Sequence, residues 1–165
     1  MRERLEDRGW RYDDGRDGQP TVGRVVSECY PYTAIVGAEE LRFDVERPQY
    51  KRRPKFLKSA EFRPVRAAAC DRLIVALDRL AHADPPLHLR SHPLTEQLVT
   101  EPAPLDDRQY KHREDLIDAL ICAWAGLLWI HHGLERCQVL GLDADSTAPA
   151  ATIIAPCRPS QRAPT

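Results

Sequence analysis

Asp115-Leu116-Ile117-Asp118-Ala119-Leu120-Ile121-Cys122-Ala123-Trp124 sets two carboxylates into a stretch that is otherwise apolar on nearly every side. Such a stretch reads as a helix packed inside a protein, and a charge carried into it needs a partner. Asp115 and Asp118 are three residues apart, so a helix turns both to one face, where both can point at one cation or one reacting group. The pattern places the start of this helix near Asp107, with Asp106 as N-cap and Gln109 as capping-box partner, and its end near His131. Asp115 and Asp118 then lie two and three turns in, beyond the reach of the helix dipole. Two readings stay open for them: a structural pairing with a base such as an arginine, and a metal-binding or catalytic role.

Moving toward the N-terminus, Pro102 and Pro104 separate this helix from a brief one over Pro93 to Val99, with Pro93 in its first turn. Ser59 to His82 is the other long helix, because Phe62, Val65, Ala69, Leu73, Leu77 and Leu80 step by three and four into one stripe, and Pro85-Pro86 stops it. Before it runs the loop Arg47 to Lys58, with six basic residues, no acid, and the rings of Tyr50 and Phe56. That composition suits gripping phosphates while a ring stacks on a base; a solvated basic loop is the plainer alternative. Thr33 to Leu41 reads as a short helix capped by Thr33, and Val22 to Tyr30 as a strand that Pro31 terminates. Period-two geometry puts Val26, Glu28 and Tyr30 on one face of that strand. Residues 1–21 read as a short helix, Arg2 to Arg8, and a turn-rich linker through Asp13-Asp14-Gly15 to Pro20. Beyond the central helix come two strands, Arg136 to Leu140 and Ala151 to Ala155, and a fraying tail over 160–165.

The chain has 165 residues, 42% apolar, with 24 Lys and Arg against 25 Asp and Glu and a formal net charge of −1. That length suits one domain with a real core, and the balance argues against a polybasic coating protein. Any nucleic-acid contact is therefore a local patch. Five scattered cysteines form neither a disulfide ladder nor a CxxC pair, which fits reduced thiols in a cytoplasm. The charged N-terminal residues do not form a signal peptide, and the longest apolar run, Ala119 to Ile130, is short for a membrane span. Zinc is poorly served: Pro93 pushes His92 out of any helix shared with His88, and His131-His132 suit a helix C-terminus. His112, one turn before Asp115, is better placed to orient a ligand or touch a phosphate.

Glu28 lies near the C-terminal end of its strand, where open α/β sheets place their sites. Carboxylates converging from a strand and a helix make the hard-oxygen environment that suits Mg2+ or Mn2+, ions that activate water and stabilise the leaving oxygen of a phosphodiester.

Taken in order, Glu28-Cys29-Tyr30-Pro31-Tyr32, Tyr50-Lys51-Arg52, Arg90-Ser91-His92-Pro93 and Tyr110-Lys111-His112-Arg113-Glu114-Asp115-Leu116-Ile117-Asp118-Ala119 resemble the predicted RNase H-like nuclease family catalogued as domain of unknown function four-two-nine. The resemblance runs from about Val22 to Pro159 and implies an α/β, RNase H-like fold whose acidic residues hold Mg2+ or Mn2+ for phosphodiester cleavage. By position, Glu28 resembles the carboxylate on the strand leading to the first helix of the second half, and Asp115 or Asp118 that of the closing helix. The family opens with a glycine-flanked aspartate on the first strand of a β-meander, and nothing before Val22 resembles it. The chain accordingly resembles the C-terminal portion of such a protein, with 1–21 as a helix and linker remnant and 22–159 as the domain. Because that first aspartate bridges the metals, the resemblance implies weak or no cleavage by this chain. A missing meander would also expose a sheet edge and apolar helix faces, favouring association with a partner or a second copy.

The leading expectation is thus a metal-dependent nuclease fold with Glu28, Asp115 and Asp118 as its acidic site and Lys51, Arg52, Arg53, His112 and Arg113 toward nucleic acid. The alternative is a non-catalytic nucleic-acid- or protein-binding module of the same fold.

Overall fold

The computed structural model describes residues 2–51, 56–142 and 151–162, which form mostly helix with two small sheets. They divide into two compact units, one of Met1–Ala38 with Cys122–Thr165, the other of Glu39–Ile121.

In the unit Glu39–Ile121, helix α3 (Ser59–Asp78) opens where Glu61 Oε2 accepts the Lys58 backbone N–H at 3.0 Å, satisfying a donor at the helix start. Its stripe buries Phe62, Ala69, Leu73, Leu77 and, in the 3-10 turn that follows, Leu80. Val65 departs from the expected stripe and is 47% exposed, whereas Cys70 and Ile74 join the core. Helix α4 (Pro93–Thr100) starts with Pro93 in its first turn, and His92 Nδ1 accepts the Leu94 N–H at 3.2 Å. Extended His92 stands outside the helix, as the proline requires. Helix α5 (Asp107–His132) is capped by Asp106, whose Oδ1 accepts from the N–H groups of Arg108 at 3.1 Å and Gln109 at 2.9 Å.

The unit of Met1–Ala38 and Cys122–Thr165 holds α1 (Arg2–Glu6), β1 (Arg11–Tyr12), β2 (Val25–Val26), α2 (Pro31–Gly37), β3 (Cys137–Leu140) and β4 (Ile153–Pro156). Several expectations change here. The strand read over Val22 to Tyr30 reduces to β2, which pairs in parallel with β1, Arg11 opposite Val25 and Tyr12 opposite Val26. Strand β1 thus falls within the stretch 1–21, which the sequence reads as helix and linker. Pro31, read as a strand stop, is the first residue of α2, where its missing N–H costs nothing; the helix ends at Gly37 and a separate 3-10 turn covers Glu39–Leu41. Thr33 is inside α2, with its hydroxyl donating to Tyr30 O at 2.7 Å.

Strands β3 and β4 pair antiparallel, Cys137 opposite Pro156 through Leu140 opposite Ile153. A Cβ on Gly37 would lie 1.9 Å from Pro156 O, so α2 meets β4 at a contact that only glycine permits. Ile35, Trp124, Leu128, Trp129, Ile154 and Ala155 form this unit's core. Gly133, at φ 50°, ends α5 in the left-handed region. By length and composition the segment Asp107–Glu135 could cross a membrane, but Ile117, Ile121, Trp124, Leu128 and Trp129 along it are buried inside the protein.

Candidate nucleic-acid interface

The first half of the basic loop is fastened to α5. Tyr50 is fully buried, and its hydroxyl donates to Asp118 Oδ1 at 3.0 Å. Lys51 donates from its ammonium to Asp118 Oδ2, so both carboxylate oxygens of Asp118 accept protein donors. The Lys51 and Asp118 side chains are each 23% exposed, enough burial for an unpaired charge to be costly. Tyr110, at the first turn of α5, donates its hydroxyl to Tyr50 O at 2.6 Å, with Arg66 O a weaker second acceptor at 3.4 Å. Burial, and then neighbouring Cys70, push the Tyr110 hydroxyl well above its ordinary range, which keeps it a donor.

Above Tyr110 lies the Arg66 guanidinium, 3.7 Å from the ring centroid, a cation–π stack that also approaches Phe62. Arg66 Nη2 reaches Asp107 Oδ1 at 2.9 Å and Arg63 Nη2 reaches Asp107 Oδ2 at 2.5 Å. Arg63 first, then Arg66, hold the Asp107 carboxyl below the usual carboxylate range.

Asp115 takes a different course from Asp118, although both lie on α5. It is 59% exposed and pairs with Lys111, Nζ to Oδ1 at 2.7 Å, while Lys111 also reaches Glu114 Oε1 at 2.9 Å. Asp115, and then Glu114, raise the Lys111 ammonium above its ordinary range. Glu28 belongs to the other unit; its side chain is exposed and its backbone carbonyl accepts from Ile154 N at 2.9 Å. Among the described residues, no three His, Cys, Asp or Glu side chains group as metal ligands. With the oxygens of Asp118 occupied and Asp115 paired along its own helix, the donor set does not fit a divalent cation as arranged.

Of the residues read toward nucleic acid, His112 is exposed, whereas Arg52 and Arg53 lie outside the described residues. Arg113 has a structural place instead. Its side chain is 8% exposed, and Nη2 donates to Leu98 O and Glu101 O, both at 2.7 Å, closing the C-terminal end of α4. Sequence reading also passed over Asp13, a buried carboxylate that accepts from Gly15 N at 2.9 Å and Trp129 Nε1 at 3.4 Å. The Asp-Asp-Gly turn chemistry was its only local signal.

No family model, curated protein or solved structure matches the chain.

Proposed function

We propose that the chain is a nucleic-acid-binding module of the RNase H-like class, which grips phosphates through the Arg47–Lys58 loop and leaves cleavage aside. The observation that carries this reading is the engagement of both Asp118 oxygens by Tyr50 and Lys51. A carboxylate used in this way anchors a basic loop to a helix, and it is poorly disposed to hold a divalent cation. Lys58 and His112 are exposed, and Arg52 and Arg53 supply further charge in the same loop. A reducing, cytoplasmic setting accompanies the proposal, supported by five cysteines that carry no disulfide.

The test is fluorescence anisotropy of a labelled oligonucleotide across a potassium chloride series, comparing the wild type with Arg52→Ala/Arg53→Ala, which spares the Lys51 anchor. For every phosphate that the variant no longer neutralises, the slope of log affinity against log salt should flatten by about 0.7–0.9. An unchanged slope would overturn the assignment of the loop. Shortened oligonucleotide appearing with Mg2+ or Mn2+, and absent with Asp118→Asn, would replace the binding reading with the nuclease one.

A further inference from the structure

Cys29 follows Glu28 in the segment after β2, and Cys122 lies midway along α5. Both belong to the same unit, both are partly exposed, and both line one cavity of about 240 Å³. The Cys122 thiol donates to the Cys29 carbonyl, Sγ to O at 3.9 Å, which brings the two residues together at this wall. The rest of the wall is Ser27, Ala125, Gly126, Trp129 and Ile154. Gly126, one turn beyond Cys122, leaves the approach open, because a Cβ there would meet nothing within 4 Å.

We propose that Cys29 and Cys122 form a two-thiolate site for a soft monovalent cation of the Cu+ class. The ligand inventory selects the ion. Structural zinc calls for four ligands, and magnesium or calcium for a shell of oxygens; this cavity offers two sulfurs and, from Ser27, a single hydroxyl. No third His, Cys, Asp or Glu completes a ligand group among the described residues. Two thiolates in line satisfy a d10 monovalent ion without further ligands. On binding, two S–H bonds break and two S–Cu bonds form; two protons pass to solvent and the metal remains monovalent.

The test uses the full chain under anaerobic conditions, titrated with Ag+ as a redox-inert probe and with Cu+ against a chromophoric chelator. Native mass spectrometry should show one metal per chain, and alkylation footprinting of the wild type should show Cys29 and Cys122 protected together. Cys29→Ser and Cys122→Ser should each lose the one-to-one complex, while Cys70→Ala, in the other unit, retains it. Protection of other cysteines, no protection in the wild type, or a full equivalent bound by the Cys29→Ser/Cys122→Ser double variant would overturn the proposal. The wild-type footprint decides the matter even where a variant folds poorly.

Discussion

Lys51 reaches Asp118 across 67 residues of chain and ties the start of a basic loop to the middle of the longest helix. Because both side chains are partly buried, removing either partner leaves a charge with reduced hydration. Lys51→Met and Asp118→Asn should each lower stability by roughly 1 kcal/mol or somewhat more, and together by less than their sum. Urea unfolding of the four proteins of this double-mutant cycle measures the coupling; strict additivity would mean the pair contributes nothing.

Manganese bears on the same carboxylate. With its oxygens taken, the melting temperature of the wild type should not respond to Mn2+. A rise in Tm that Asp118→Asn or Glu28→Gln abolishes would show that the cation displaces Lys51 or assembles a different ligand set.

The Tyr110 hydroxyl serves a buried carbonyl, so Tyr110→Phe leaves Tyr50 O short of its donor and should cost about 1–2 kcal/mol, read as a lower denaturant midpoint. There is a pH signature as well. Burial raises the folded-state pKa above the ordinary value of 10.0, so the unfolded chain loses this proton first. The contribution is complete below pH 10 and declines as the pH climbs above it. Tm measured from neutral to strongly alkaline pH should therefore fall more steeply in the wild type than in Tyr110→Phe.

Gly37→Ala should force α2 away from β4, since the new methyl group would collide with backbone, which cannot rotate aside as a side chain can. A loss of about 2–3 kcal/mol is expected from overpacking of this kind, and calorimetry would detect it. An unchanged Tm would mean that α2 shifts along β4 without penalty.

Arg113→Lys should recover little of what Arg113→Ala loses, because one guanidinium nitrogen serves two carbonyls and an ammonium lacks that planar geometry. A loss of roughly 2–4 kcal/mol in the alanine variant follows from two acceptors left without a donor. Its oligonucleotide salt slope should match the wild type, which separates this packing role from phosphate contact.

Local chemistry made much of the helical framework legible. Asp106 as a cap, Pro93 in a first turn and the three-and-four spacing through Leu73 and Leu77 act within a few residues, and each is realised in the structure. Non-local pairing was harder to read. The Arg11–Val25 and Tyr12–Val26 pairs form a ladder too short to leave a periodic trace, so a linker was read where β1 lies. Pro31 can stop a strand or open a helix, and only its surroundings decide which. At the candidate interface the need of Asp118 for a partner was legible, but its identity was not, because Tyr50 and Lys51 meet it only after the chain has folded back on itself. Asp115, close by on the same helix, was read as sharing a target with Asp118, and Lys111 one turn earlier claims it instead.

The basic loop is held at two places, by Asp118 at Lys51 and by Glu61 at Lys58, which leaves the six residues 52–57 between the anchors. For a chain held at two fixed points the entropy of closure grows only with the logarithm of the span, so these two anchors limit what tying the segment down costs. Lengthening the span between Lys51 and Lys58 with glycine and serine should therefore lower stability by only about 0.6 kcal/mol for each doubling of its length, with no charge removed.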